Sequence, residues 1–382
     1  MEKEVYIFGA GQKGKELLGI IKFWRNDIKV IAFIDNDEKK QGQILAGIKC
    51  IGIDEAIRRG AQNVMVLISV VESAEIEEQL EKYKFNYVLS TNGVLAYSRK
   101  RNYVPEVLEM TDFKAAVPFN AYDSPYPDIV KVHKKERELF DRSKECLDID
   151  FNISRQLELL EKMKEIRLPK WHDAKEKAYR YFYSNSWFAK DSADALYYML
   201  RILEPKKVIE VGSGYSTAVM LDTNEYYFNN KMEIFAIEPF ADRLRDLLKP
   251  GDDIKLYEQE LQDIPLSFFD TLGENDILFV DSSHVSKIGS DVNYLLFEIF
   301  PRLKKGVYIH IHDVYYPFTY LEQWVYEGKA WNEMYILRAF LMNNTKYSVQ
   351  LFGSMLKETC ENMVPKELYG CGVASLWIKK EA

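Results

Sequence analysis

The sequence predicts an α/β protein built from two parallel-sheet units, a small amino-terminal one and a larger carboxy-terminal one. Three observations predict it. Short apolar runs alternate with stretches of helical periodicity over residues 5–95 and again over 206–378, the pattern of strands and helices that pack as layers. A glycine-rich turn follows the first apolar run of each region, Gly9-Ala10-Gly11-Gln12-Lys13-Gly14 in one and Gly212-Ser213-Gly214 in the other. Between the regions, from Ser98 to Asp128, the alternation stops, and Pro105, Pro118, Pro125 and Pro127 fall among polar and aromatic residues. That stretch is too aromatic for a free linker and reads as a packed connector. The expected division is residues 1–97, a connector over 98–145, and a second domain over 146–382 whose core begins near Lys206.

Composition narrows the class. The chain has 382 residues, a net charge of -8 and 47% hydrophobic residues, enough to build two cores. No long basic block is present, so no nucleic-acid partner is expected. The four cysteines, Cys50, Cys146, Cys360 and Cys371, form no close pair, which speaks against a structural zinc site or a disulfide framework. The amino terminus lacks the basic and apolar segments of a signal peptide, and no apolar run reaches the roughly 20 residues that span a bilayer. The expectation is a cytoplasmic protein with no membrane insertion.

In the first region, Val5–Phe8, Val30–Ile34, 63–69 and Tyr87–Leu89 read as strands, with helices after Gly14 and over Ser73–Tyr83. Next comes a helix whose apolar face is expected to carry Ile153, Leu157 and Leu160 with Lys164, and another over Ala193–Leu203. The second region reads as strands at Val208–Val211, Ile234–Ile237, Ile254–Tyr257, Ile277–Val280 and Val307–Ile311. Helices are expected at Thr217–Tyr227, Ala241–Leu248, Pro265–Leu272, Val292–Leu303 and Asn332–Met342, followed by two last strands, Tyr347–Phe352 and Ala374–Ile378.

The first glycine loop fits G-x-G-x-x-G through Gly9, Gly11 and Gly14, and Asp35 lies 21 residues beyond Gly14 at the end of the second strand. That places a phosphate at a helix N-terminus and a ribose on the acid. With Phe33-Ile34-Asp35-Asn36-Asp37 and Gly42 and Gly47 beyond it, the first ninety residues resemble the small nucleotide-sugar-binding domain that precedes bacterial sugar acyltransferases. The region is about half a full dinucleotide-binding fold. Its expected roles are nucleotide-sugar binding or dimerisation, which implies a homo-oligomer, with NAD binding as the weaker alternative.

The second loop reads differently. Val208-Ile209-Glu210-Val211-Gly212-Ser213-Gly214-Tyr215-Ser216-Thr217 leads from strand to helix, and its helix N-terminus suits a carboxylate. Glu238 ends the next strand, where a carboxylate accepts from both ribose hydroxyls. Gln262, after the third strand, stands where an adenine would lie. Phe279-Val280-Asp281-Ser282-Ser283-His284-Val285-Ser286-Lys287, His310-Ile311-His312-Asp313-Val314 and Trp324-Val325-Tyr326-Glu327-Gly328-Lys329-Ala330-Trp331-Asn332-Glu333 complete the pattern. With these stretches, residues from about Cys146 onward resemble bacterial class I S-adenosylmethionine-dependent methyltransferases associated with cell-surface polysaccharide synthesis. The resemblance implies a seven-stranded sheet, so that the chain would hold two Rossmann-like domains. It also implies S-adenosylmethionine on Glu210, Gly212, Ser213, Gly214, Ser216, Glu238, Gln262 and Asp281.

Methyl transfer to a sugar hydroxyl needs a base or a metal ion, because the hydroxyl is a very weak acid. Asp281 ends the fourth strand, His284 follows three residues later and His312 ends the neighbouring fifth strand; these three are the expected catalytic residues. His284 is the expected general base, with an intrinsic pKa near the working pH. Metal-dependent O-methyltransferases place an Asp and an acid pair at similar positions, so Asp281, His312 and Asp313 are the candidate ligands of Mg²⁺ or Mn²⁺. One of His310 and His312 is expected to face away and be structural. Asp291 is expected to cap the following helix. Asn185, Asp191, Tyr315, Tyr316, Trp324, Trp331 and Glu333 are candidate lid or substrate-facing groups. The alternative to a sugar O-methyltransferase is a non-catalytic scaffold that binds S-adenosylmethionine or a nucleotide sugar during glycan assembly.

Overall fold

The structure, a computed structural model, describes residues 3–24, 28–70, 74–91, 94–95 and 124–382. By packing, the chain divides into two compact units, Met1–Ser124 and Pro125–Ala382. Residues 96–123, which include just over half of the expected connector, lie outside the described residues. The last part of the connector packs with the second unit, where Tyr316 Oη donates to the Lys144 carbonyl at 3.0 Å and Arg142 Nη1 donates to the Tyr316 carbonyl at 2.8 Å.

The first unit holds β1 (Lys3–Phe8), β2 (Ile28–Ile34), β3 (Ile44–Leu45), β4 (Ile48–Ile51), β5 (Met65–Ile68), β6 (Asn86–Thr91) and β7 (Val94–Leu95), in sheet order β3-β4-β2-β1-β5-β6-β7. The pairs from β4 to β6 are parallel, and β3 and β7 turn back antiparallel at the edges. Apolar runs such as Val5–Phe8 are continuous because both faces are covered. Val5 and Ile7 pack with Leu17, Leu18 and Ile21, whereas Tyr6 and Phe8 pack with Ile51, Ala56 and Leu80. The edge hairpin β3–β4 was not expected. Its strands are two and four residues long, too short for the alternation that marks a strand.

The second unit holds β8 (Lys207–Val211), β9 (Glu233–Ile237), β10 (Lys255–Tyr257), β11 (Ile277–Val280), β12 (Tyr308–His312), β13 (Tyr347–Phe352) and β14 (Ser375–Lys380), in order β10-β9-β8-β11-β12-β14-β13. The first five are parallel, and β14 runs antiparallel between β12 and β13. This is the class I methyltransferase order, and the chain holds two Rossmann-like domains. The order of connection reverses between β8 and β11, so a crevice opens beyond their carboxyl ends.

Several expected helices are shorter. Ala241–Leu248 reduces to Asp242–Arg245 and Pro265–Leu272 to Leu266–Phe269. The helix over Asp291–Arg302 contains a π-helical stretch, Tyr294–Ile299, just before Pro301, which lacks the N–H that would continue the α pattern. In helix Ile153–Lys164 the inner face is Gln156, Leu160 and Met163, while Ile153 is exposed. Polar Gln156 hid this face. It is buried because Oε1 accepts from Phe352 N at 2.7 Å and Nε2 donates to the Phe151 carbonyl.

A buried ionic network ties the segment before helix Lys190–Leu203 to helix Tyr215–Tyr227. Arg180 reaches Asp222 at 3.0 Å, Glu225 at 2.7 Å and Asp252, and Asp222 also accepts from Trp171 Nε1 and from the N–H groups of Arg180 and Tyr181. Among the described residues, no helix is long and apolar enough to cross a membrane.

Candidate active site

The donor loop leaves β8 and enters helix Tyr215–Tyr227. Gly212 has φ +80°, and a Cβ there would lie 2.0 Å from the Asp281 carbonyl oxygen. Only glycine fits both the conformation and the contact. Glu210 is buried beneath the loop, accepting from Ser216 Oγ at 2.6 Å and Thr217 Oγ1 at 2.5 Å. Burial pushes its pKa up to about 8 in spite of those hydrogen bonds. Glu238, at the end of β9, accepts from Ser213 N at 3.0 Å and Phe240 N at 2.8 Å, and burial raises its pKa as well. Gln262 lies on the third-strand side and donates to the Gly289 carbonyl.

The acceptor side is organised by His284, which lies in the loop after β11. Its ring is buried among carboxylates. Nδ1 pairs with Glu333 Oε2 at 2.9 Å, and Nε2 lies 3.5 Å from Asp281 Oδ1 and 3.6 Å from Asp313 Oδ2. Burial works against the imidazolium, but Asp281 and Glu333 outweigh it and hold the His284 pKa well above the ordinary value. Asp281 shifts the other way: burial raises it, and His284 and His312 more than reverse that.

The surrounding loops fix this histidine. Its carbonyl accepts from Asn332 N at 3.0 Å and Glu333 N at 3.2 Å, and Ser282 Oγ donates to Glu333 Oε1 at 3.0 Å. His284 and Asp313 both hold left-handed backbone, with φ 61° and 57°, a strain that side-chain residues keep only where contacts enforce it. Asp291 does not cap a helix. Ser290 does so, while Asp291 accepts from Ser283 N and Oγ and braces the His284 loop.

Asp281, His284 and Asp313 each offer a ligand atom, and these atoms all lie within 4.8 Å of one another. The expected trio had His312 in place of His284. His312 Nε2 stands 3.9 Å from Asp313 Oδ1, outside that set, and its buried Nδ1 has no hydrogen-bond partner among the described residues. The expectation that one of His310 and His312 faces away is also wrong, because residues two apart on a strand share a face. Their rings lie 5.7 Å apart. His310 stacks on Phe279 at 3.9 Å, and burial followed by the neighbouring His312 lowers its pKa well below the ordinary value.

Of the expected lid groups, Trp331 lies 4.3 Å from the His284 ring, and Trp324 packs on Trp331 at 4.8 Å and on Tyr315 at 5.7 Å. Asp191 begins helix Lys190–Leu203, where burial raises its pKa against the pull of His312. Asn185 and Tyr316 are structural. Asn185 closes a turn by accepting from Trp187 N and Phe188 N, and Tyr316 is buried on Lys144. Sequence reasoning missed Glu333 as the partner of His284, and missed Arg243, whose guanidinium lies 3.7 Å from the Trp187 ring. An acid closing an aromatic segment was the available signal for Glu333; Arg243 gave none.

In the first unit, Asp35 accepts from Ala10 N at 2.7 Å and Asp37 N at 2.9 Å, and pairs with Lys40 Nζ at 3.1 Å. Burial would raise its pKa, but these partners lower it. A Cβ on Gly14 would meet the Gly9 carbonyl at 1.9 Å, whereas one on Gly11 would meet nothing. Asp35 clasps its glycine loop as Glu238 clasps the donor loop.

Sheet order, glycine loop and the acid ending β9 together define a class I methyltransferase that uses S-adenosylmethionine. Comparison with known proteins agrees: residues 209–314 match the methyltransferase domain family, and residues 1–89 match the family described as C2185-like, N-terminal. An uncharacterized protein of Archaeoglobus fulgidus is 34% identical over 160 residues, which cover 40% of this chain and 72% of that protein. The chain belongs to the same family as this archaeal protein. Among solved structures, UDP-D-quinovosamine 4-dehydrogenase from Vibrio fischeri is 28% identical over 23% of this chain and 78% of that one, with a TM-score of 0.21. The plantazolicin methyltransferase BpumL, in complex with a monoazolic analogue and SAH, is 11% identical over 50% of this chain and 83% of its own, with a TM-score of 0.35.

Proposed function

We propose that this methyltransferase transfers the methyl group to a sugar hydroxyl, on a nucleotide-linked or surface-glycan precursor, with a divalent metal at Asp281, His284 and Asp313. The observation that carries the reading is the meeting of those three side chains at the ends of β11 and β12, beside the donor loop. Separations of 3.5 and 3.6 Å between His284 Nε2 and the two carboxylates suit ligands that share one ion at roughly 2.0–2.4 Å each. His284 also pairs through its other nitrogen with Glu333, the outer carboxylate that metal-bound histidines have. The two carboxylates suit Mn²⁺ or Mg²⁺, and the imidazole favours Mn²⁺ of the two, since Mg²⁺ prefers oxygen ligands throughout. When bound, such an ion lowers the pKa of the acceptor hydroxyl.

This reading exchanges the expected roles of the two histidines. His284 becomes a ligand oriented by Glu333, and His312, next to Asp313, takes the hydroxyl proton. Glu238 holds the ribose and the donor loop orients the methionine end, so that sulfonium and hydroxyl meet in line. Trp331, Trp324 and Tyr315 offer apolar ring faces to a sugar and keep water from the transferring methyl group.

The test is mass spectrometry of sugar nucleotides and glycan precursors incubated with the enzyme and isotope-labelled S-adenosylmethionine, before and after chelation. A labelled, methylated sugar that disappears on chelation and returns with Mn²⁺ or Mg²⁺ is the expected result. Binding of S-adenosylmethionine with no product from any acceptor supports the scaffold alternative instead.

For the first unit we propose nucleotide-sugar binding, supported by the Asp35 clasp on a glycine loop at a strand-to-helix turn. Titration with nucleotide sugars and with NAD tests it, and binding of NAD alone overturns it.

A further inference from the structure

We propose that Arg243, whose guanidinium lies over the indole ring of Trp187, binds the carboxylate at the methionine end of S-adenosylmethionine. The proposal rests on the S-adenosylmethionine reading of the donor site. Arg243 lies five residues beyond Glu238, in the short helix Asp242–Arg245 after β9. Its guanidinium carbon is 3.7 Å from the Trp187 ring centroid. Its Cδ and Nη1 lie 3.3 and 3.9 Å from where a Cβ on Gly214 would be. Gly214 immediately precedes the 13-residue helix Tyr215–Tyr227, so the cation stands over the start of that helix. Burial raises the Glu238 pKa, and the Arg243 charge is among the influences that pull it back down.

The chemistry of the group makes the two contacts compatible. Stacking uses the face of the guanidinium, and carboxylate recognition uses its edge, where the N–H donors form a fork. Trp187 is itself fixed by Asn185, whose Oδ1 accepts from Trp187 N at 3.1 Å and from Phe188 N at 2.7 Å. Beside Gly214, the segment before helix Lys190–Leu203 and the segment after β9 thus meet through a cation–π contact, besides the Arg180–Asp252 ion pair. A carboxylate there also needs a positive neighbour, because Glu238 and Asp281 flank the loop. Arg243 supplies it.

The experiment is calorimetric titration of the full chain with two ligands that differ only in the carboxylate, S-adenosylhomocysteine and S-adenosyl-3-thiopropylamine. The wild type should prefer S-adenosylhomocysteine. R243Q should weaken S-adenosylhomocysteine about ten- to a hundredfold and leave the decarboxylated ligand within about twofold, which also shows that the variant is folded. R243K, which keeps the charge and loses the fork, should fall between. W187L should weaken S-adenosylhomocysteine in the same direction by a smaller factor. Equal losses for both ligands in R243Q, no loss for either, or a wild type that binds both equally would overturn the proposal. A wild type that binds neither ligand overturns the donor-site reading itself. Should R243Q fail to fold, the same pair of ligands on R243K decides, and an unchanged preference there overturns the assignment.

Discussion

Glu333 Oε2 and His284 Nδ1 meet at 2.9 Å across 49 residues of sequence, and both side chains are almost fully buried. The contact joins the loop after β11 to the helix that follows the aromatic segment. It turns the other ring nitrogen toward Asp281 and Asp313.

Glu333→Gln should therefore weaken metal binding before it weakens anything else. Outer carboxylates of this kind typically contribute ten- to a hundredfold in metal affinity. Titration with Mn²⁺ followed by electron paramagnetic resonance is expected to show that loss, with S-adenosylhomocysteine affinity unchanged. Unaltered Mn²⁺ affinity would contradict the orienting role.

Asp281→Asn and Asp313→Asn should each lower methyl transfer at least about a hundredfold, because both carboxylates belong to the same proposed ligand set. The residual activity should no longer respond to chelation. The check is S-adenosylhomocysteine production with and without chelator, and residual activity that stays chelator-sensitive would place the metal elsewhere.

Glu210 makes stability depend on pH. Its folded pKa is raised to about 8 by burial, so the folded state holds a proton that the unfolded chain releases near pH 4.5. Stability contributed by this group is fully present below about pH 4.5 and is lost as pH rises to about 8, after which the dependence ends. The full effect is on the order of 5 kcal/mol. Glu210→Gln should match the wild type in Tm near pH 5 and exceed it near pH 8, and parallel Tm curves for the two proteins would refute the assignment.

Arg180→Met should destabilise the second unit by about 3–5 kcal/mol, because Asp222 and Asp252 would stay buried without their cation. Chemical denaturation measures this directly. A loss below about 1 kcal/mol would mean that the network relaxes into water.

The strand order and the donor loop were legible in the sequence because parallel strands buried on both faces are continuous apolar runs, and because Gly212 and Glu238 sit at their ends. The reacting centre was legible only as a list. Asp281, His284, His312 and Asp313 were all named, yet the grouping depends on which way two loops turn. Left-handed backbone at His284 and Asp313 swings those side chains together, and sequence spacing does not show that. The face of helix Ile153–Lys164 was misread for a different reason: Gln156 is polar, but its amide meets backbone groups that only the fold supplies. Arg243 was invisible because its partner Trp187 lies 56 residues away and each residue alone looks like surface.

The close approach of Gly212 to the Asp281 carbonyl has a consequence for engineering. With 2.0 Å between that oxygen and the place of a side-chain carbon, the loop that receives the donor and the loop that begins the acceptor centre are cut to one shape. Grafting a new acceptor loop onto this scaffold, or moving this one to a relative, should succeed only when the turns after β8 and β11 travel as a pair. A library that diversifies one and freezes the other would be dominated by proteins that no longer bind the cofactor, whatever their fit to a new acceptor.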